Sequence, residues 1–253
     1  MEAPDEMHPL VRLLGGAWPR DSELGTIIDH LATTLNGLVG QSAQLDFKQT
    51  SDRRVSILGP YLARGVLEVA FSILVARLDP FRVLVLRQIQ RSPDFDIQSR
   101  NSCALQWKGD FLDDKVDDLW KASRKPREMS RALLADYQDH VFWRPAFEAL
   151  LDKAPDGRGG SWLAELRLIA PDTFTARMRT RAERVYSACS KGVHHEFVIP
   201  QSAYYDPAQV LELLTEVLQI CSVLAIVINS PGHVPYCLSI DEALSCFERL
   251  QEL

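Results

Sequence analysis

The chain lacks the short motifs that define several large enzyme classes. Its 253 residues contain no Gly-x4-Gly-Lys-Ser/Thr phosphate loop, no Gly-x-Gly-x-x-Gly fingerprint and no Gly-x-Ser-x-Gly elbow. These absences argue against ATP hydrolysis, dehydrogenase chemistry and α/β-hydrolase chemistry. No motif for a bound cofactor is present, so we expect none.

Patterns for disulfides and metal ions are also missing. The five cysteines are odd in number and form no Cys-x-x-Cys pair, which suits reduced, mostly buried thiols. A His-Glu-x-x-His helix is absent, because Ile199 stands where the second histidine would follow His195. We therefore expect no metal site.

Long hydrophobic runs and a targeting signal are not found. The most apolar stretch, 217–228, has about twelve residues, whereas a membrane span needs about 20. The first nine residues are acidic and polar, unlike a secretory signal. The 28 basic and 34 acidic residues give a net charge of −6, which argues against broad DNA coating. We expect a cytoplasmic protein without membrane contact.

Helical periodicity dominates what is present. Ser22 precedes apolar residues at helical spacing, and a long apolar pattern over 55–78 ends at Asp79-Pro80 before a second helix to residue 90. Little strand signal is found, so the sequence predicts an all-α, multi-helix bundle with at most a minor β-hairpin. Further helices are predicted over 110–123, from Pro126 through Leu133, Leu134 and Phe142, over 172–190, over 206–229 and over 239–250.

The clearest linker is Ala154-Pro-Asp-Gly-Arg-Gly-Gly160. It predicts an N-terminal helical subdomain over 1–154 and a C-terminal helical subdomain over 161–253, joined by residues 155–160.

Polar chemistry concentrates after the predicted helix 172–190. His194, His195 and Glu196 follow a glycine, and Arg184 lies upstream. Two proton-transfer groups beside a phosphate can cleave RNA without a metal, which makes these four residues a candidate catalytic cluster. The alternative is a histidine at a helix end, hydrogen-bonded to backbone carbonyls without catalysis.

Three arginines of the same helix share one face. Arg177, Arg181 and Arg184 are spaced i, i+4 and i+7, and guanidinium groups suit bidentate phosphate contacts. They form a candidate phosphate or nucleic-acid surface. The alternative is a solvated face paired with carboxylates elsewhere.

A second nuclease pattern is fainter. Asp94, Gln106 and Lys108 resemble the Asp…(Glu/Gln)-x-Lys arrangement of metal-dependent nucleases, in which carboxylates hold the metal and Lys positions water. Such sites normally lie on paired strands, whereas the sequence here is typical of a loop.

The segment Tyr186-Ser-Ala-Cys-Ser-Lys-Gly-Val-His-His-Glu196 resembles the HEPN superfamily of helical-bundle proteins, over about residues 172–253. The resemblance implies an antiparallel bundle, frequent dimerisation and roles in bacterial antiviral or toxin systems. Active members cleave RNA with an Arg-x4-6-His motif. Here nine residues separate Arg184 from His194, so the resemblance implies a binding or regulatory bundle.

The leading prediction is a helical interaction or regulatory protein, as a subunit of a bacterial defence or toxin complex. Its expected partner is another protein or a second copy, with RNA as a further candidate. The alternatives are a metal-independent ribonuclease using Arg184, His194, His195 and Glu196, and a metal-dependent nuclease using Asp94, Gln106 and Lys108.

Overall fold

The computed structural model describes residues 7–48, 53–96, 98, 103–112, 132–193 and 205–252. Over these residues the chain is helical and contains no strand, which confirms the predicted all-α bundle. The helices are α1 (Pro9–Gly15), α2 (Glu23–Ala43), α3 (Arg53–Leu78), α4 (Pro80–Gln90), α5 (Arg144–Lys153), α6 (Gly160–Leu166), α7 (Phe174–Val193), α8 (Pro207–Ile228) and α9 (Ile240–Arg249).

Helix α3 lies at the centre of the bundle and packs against α2, α7 and α8. The apolar core is continuous, and fully buried aromatic side chains from both halves of the chain contribute to it: Phe71, Phe147, Phe174 and Phe247. Residues on both sides of the 155–160 segment therefore share one core, while the division into two subdomains stays a prediction.

Two helices, α3 and α8, are long and apolar enough to cross a membrane, with mean hydropathies of 1.5 and 2.1 over their most apolar windows. Just over half of each window, 56%, is buried inside the protein. The core helix of a soluble protein passes the same test, so this is weak evidence for a membrane. Most of the 217–228 stretch is buried in the core.

Side-chain caps begin three helices where the sequence predicts them. The hydroxyl of Ser22 accepts a hydrogen bond from the Gly25 N–H (2.9 Å), and that of Ser239 accepts one from Glu242 (3.2 Å). Asp206 and Gln209 form a reciprocal capping box at the start of α8. Each cap satisfies a backbone donor that the first helical turn leaves without a partner.

The predicted helix through Leu133 and Leu134 is wrong, because these residues lie in a turn. Their backbone N–H groups donate to the carbonyls of Asp110 (2.7 Å) and Phe111 (3.0 Å). A helix would need these donors for its own ladder, so the long-range pairing prevents it. The helical structure starts instead with a short turn, Asp136–Gln138, and a π-helical turn, Asp139–Trp143.

Helix α1 is not predicted by the sequence pattern. It has only seven residues, begins with Pro9 and is capped by the imidazole of His8, which accepts from the Leu10 N–H. The predicted helix over 110–123 is described only at its start, where Asp110 belongs to a π-helical turn, Trp107–Phe111. Residues 113–131, which include the predicted helix start at Pro126, lie outside the described residues.

Candidate interaction surface

The arginine face of α7 is tied to the neighbouring helix. Arg181 donates from Nε and Nη2 to the two carboxylate oxygens of Glu216 on α8, both at 2.8 Å, and also to Gln219 at 2.6 Å. Arg184 donates to the same Glu216 at 3.0 Å. The hydrogen bond from Arg181 is the main reason why the pKa of Glu216 lies below its ordinary value.

One carboxylate therefore holds two of the three predicted phosphate-binding arginines. The Arg184 side chain remains 72% exposed, against 20% for Arg181, and Arg177 is exposed on the same helix. The alternative that we gave for this face, arginines paired with carboxylates, agrees with these contacts for Arg181 and Arg184. Its role in binding phosphate stays a prediction.

The candidate catalytic cluster falls mostly outside the described residues. His194, His195 and Glu196 follow Val193, where the description of α7 ends. Arg184 is the member of the cluster that the structure describes, and it forms an ion pair with Glu216. The predicted catalytic role of the four residues remains a prediction.

The second nuclease pattern lies on irregular structure. Asp94 is in an exposed turn after α4, Lys108 is exposed within the π-helical turn, and the Gln106 N–H donates to the carboxylate of Asp110 at 2.8 Å. Within the described ranges no strands pair beneath these residues, and no group of three His, Cys, Asp or Glu side chains could hold a metal.

One fully buried arginine, Arg77, was not predicted as a functional or structural residue from the sequence. The Arg77 side chain, in the last turn of α3, is fully buried, and it donates to the carbonyls of Leu14 (2.9 Å) and Pro235 (3.0 Å) and to the side chain of Asn229 (3.3 Å). In the described part of the chain, no carboxylate contacts it. Burial lowers its pKa to about 10, so it is charged at neutral pH.

This arginine connects the ends of three helices. Leu14 lies in the last turn of α1 and Asn229 is the residue that caps the end of α8. The guanidinium, at the end of α3, therefore contacts a backbone carbonyl at the end of α1 and the capping side chain at the end of α8. Negative helix ends stabilise a cation in that position. Arg77 is one of two arginines, with Arg64, within the apolar pattern of 55–78, and nothing in the sequence around it indicates such a role.

Helix α4 exposes apolar side chains. Phe81, Val85 and Ile89 are 78%, 41% and 46% exposed. Their i, i+4, i+8 spacing places them in one row, about 12 Å long at the helical rise of about 1.5 Å per residue. We call these three residues the α4 row. On the opposite side of the helix, Val83 is buried.

The two arginines within α4 are paired with other groups of the protein. Arg82, whose side chain is 17% exposed, pairs with Asp79 (3.1 Å) and with the buried Asp110 (3.2 Å). Arg87 donates to the backbone carbonyl of Glu23 on α2 at 2.6 Å. The arginines of the helix therefore bind other groups of the same protein, while its apolar row faces solvent.

The sequence contains a signal for this arrangement that is not among the predictions made from it above. In Pro-Phe-Arg-Val-Leu-Val-Leu-Arg-Gln-Ile-Gln90, apolar residues fall on every face, whereas a surface helix needs only one apolar stripe. The surplus predicts a second contact for this helix.

No protein family, no curated protein and no solved structure matches this chain.

Proposed function

We propose that this protein is a helical interaction protein that binds a protein partner through the α4 row. The observation that carries the proposal is the exposure of this apolar row on a helix whose arginines bind other groups of the same protein. An exposed Phe on a helix whose arginines are held by its own fold is costly in water, and association with a partner would remove that cost.

The spacing of the row indicates the kind of partner. Side chains at i, i+4 and i+8 form a ridge that fits the groove between the corresponding ridges of a second helix. We propose that the occupant is an amphipathic helix of a partner protein that offers its apolar stripe. A second copy of the chain could supply such a helix through its own α4 row, and the measured stoichiometry distinguishes the two.

Phe81 contributes most to this surface. Full burial of a Phe or Val side chain stabilises by about 1.5–3 kcal/mol, and aromatic anchors dominate binding in many interfaces. Since Phe81 is the most exposed of the three, we expect Phe81→Glu to weaken partner binding by at least about tenfold, equivalent to about 1.4 kcal/mol. Val85→Glu, at the middle of the row, should have a similar effect.

The experiment compares Phe81→Glu with Leu168→Glu. Leu168 is 87% exposed but lies in the turn after α6, so it controls for a new charge at an exposed apolar position. The wild-type chain and both variants are purified from the native host with their bound proteins, and binding is repeated with the purified partner. Light scattering of the purified chain measures self-association.

The proposal is supported if a partner, or a second copy, binds the wild-type chain and Leu168→Glu but is lost in Phe81→Glu. It is overturned if the variant retains all binding, or if both substitutions weaken binding equally. Support for a narrower role, in a bacterial defence or toxin complex, comes only from the resemblance at residues 186–196.

A further inference from the structure

A cleft lies beneath helix α4, on the side of the helix opposite the α4 row. Its volume is about 370 Å³, and its walls come from α2, α3, α4 and the segment 103–105. From α4 it is lined by Val83, Leu86, Arg87 and Gln90, whose i, i+3, i+4, i+7 spacing places them on one face. Of these four side chains only Val83 is buried. The inner face of α4 therefore covers an open space rather than a tightly packed surface.

The walls of this cleft are mainly hydrocarbon. Four partly buried side chains line it: Ile27 and Leu31 from α2, Leu86 from α4, and Leu105. Protein interiors are normally close-packed, and atoms beside a gap lose dispersion contacts that a ligand of matching surface restores. The volume also falls within the range of about 300–1,000 Å³ that is typical of small-molecule sites.

The polar side chains in the lining donate to the backbone of the protein. The Ser72 hydroxyl donates to the carbonyl of Glu68 at 2.8 Å, and Gln90 Nε2 donates to the carbonyl of Cys103 at 3.1 Å. A polar ligand would lose its hydration in the cleft and gain few hydrogen bonds in return, because these donors are already used. The cleft therefore favours an alkyl chain over a polar molecule.

The charge at the cleft is positive. Among the residues that the structure describes, no Asp or Glu side chain lines it, although the protein has 34 of them. Arg87 lines it and donates to the backbone carbonyl of Glu23, a neutral group that leaves the charge of the guanidinium in place. That charge attracts an anion without any further hydrogen bond. His30 and Gln90 are exposed, so the cleft opens to solvent beside them.

We propose that this cleft binds a small amphiphile, which consists of a single alkyl chain with an anionic head group. The chain lies between α2 and α4 against Leu31 and Leu86, and the head group stays in solvent near Arg87. The proposal does not depend on partner binding by the α4 row, because the row is on the other side of the helix. A failure of either proposal leaves the other intact.

The test is titration of the full chain with decanoate, below the concentration at which it forms micelles and at constant ionic strength, followed by calorimetry. We expect saturable binding of one equivalent. Decanol has the same chain without the charge and should bind about threefold more weakly, and decylammonium, with the opposite charge, more weakly still. The proposal is overturned if decanoate does not saturate the protein, or if decylammonium binds as tightly as decanoate.

NMR spectroscopy of the wild-type complex locates the chain without any substitution. We expect nuclear Overhauser effects between the methylene protons of decanoate and the methyl groups of Leu31 and Leu86. Contacts confined to Val85 and Ile89, on the outer face of α4, would place the ligand on the α4 row and overturn the proposal.

Two variants test the walls and the charge separately. Ser72→Leu fills the cleft from α3 and should abolish binding, while it removes only a hydrogen bond within its own helix. Arg87→Gln removes the charge but keeps a side-chain donor for the Glu23 carbonyl. It should weaken decanoate binding about threefold and leave decanol binding unchanged.

Ser190→Leu is the matched control for Ser72→Leu. Ser190 lies on α7, outside the cleft, is also partly buried, and its hydroxyl donates to the carbonyl four residues earlier at 2.8 Å, as that of Ser72 does. Thermal unfolding of each variant without probe shows whether it is folded. The proposal is overturned if Ser72→Leu folds and binds decanoate normally, or if Ser190→Leu weakens binding as much as Ser72→Leu.

Discussion

Arg77 and Arg181 hold helices together by different chemistry. Arg77 is fully buried and donates to the backbone carbonyls of Leu14 and Pro235 and to the side-chain oxygen of Asn229, with no carboxylate in contact among the described residues. Arg181 is partly exposed and forms a two-point contact with Glu216. The first site relies on dipoles and desolvated acceptors, the second on an ion pair whose two side chains are 20% and 21% exposed.

The difference shows that burial, rather than the number of charges, decides how much a contact contributes to the free energy of unfolding. A screened surface pair is worth about 0–1 kcal/mol, whereas each buried polar group left without a partner costs about 1–3 kcal/mol. We therefore expect the isolated Arg77 to matter more for stability than the whole arginine face of α7.

The largest predicted effect follows from Arg77→Met. This change leaves the carbonyls of Leu14 and Pro235 without their donor, and we expect a loss of about 3–5 kcal/mol in the free energy of unfolding. Urea denaturation measures it. Arg77→Lys, which keeps the charge but not the planar fork, should lose less.

A loss below about 1 kcal/mol in Arg77→Met would break the comparison, since burying the charge would then cost as much as its hydrogen bonds gain. A matched reference is Arg184→Met, which removes an exposed guanidinium from α7 with the same new side chain.

His8 adds a third buried group to the comparison, because burial favours the neutral form of its side chain. Its folded-state pKa is about 4, against about 6.5 when unfolded, so the unfolded chain binds more protons between these values. Stability should therefore fall as the pH decreases from 6.5 to 4, by about 2 kcal/mol after allowance for partial exposure. Above pH 6.5 the contribution of His8 is complete.

Urea denaturation across this pH range, in wild type and His8→Asn, isolates the effect. The variant keeps a side-chain acceptor at the cap but has no group that titrates there, so its curve should be flatter. Parallel curves for the two proteins would contradict the assignment to His8.

Much of the fold follows from local sequence signals. The hydroxyl and carboxylate caps at Ser22, Asp206 and Ser239 act within three residues, and the Asp79-Pro80 break restarts the helix at once. The turn at Leu133 and Leu134 could not be predicted this way, because its partners, Asp110 and Phe111, lie more than twenty residues upstream and displace a local helix.

The candidate surfaces were harder to predict for the same reason. Clustering in the sequence draws attention to the arginines of α7, yet Glu216, which binds two of them, comes from another helix. Phe81 can be identified as apolar from the sequence, but its exposure depends on how α3 and α2 position α4. His194, His195 and Glu196 lie outside the described residues, so their roles remain predictions.

A smaller effect is expected from Arg181→Ala. It removes the bidentate contact with Glu216 and the bond to Gln219, and we expect a loss of about 1 kcal/mol, measured by urea denaturation. In the Glu216→Gln background the same change should cost less, because the charged partner is already gone. Equal losses in both backgrounds would show that Arg181 acts through packing rather than through the pair.

Arg184→Ala should have the smallest effect on stability, within about 0.5 kcal/mol, because its side chain is largely exposed and its ion pair is with Glu216, which also binds Arg181.

The same variant tests the ribonuclease alternative. If Arg184 acts with His194 and His195, wild-type protein cleaves RNA in the presence of EDTA, and Arg184→Ala loses cleavage while remaining folded. If the interaction role is correct, Arg184→Ala and the double variant His194→Ala/His195→Ala retain the partner that Phe81→Glu loses.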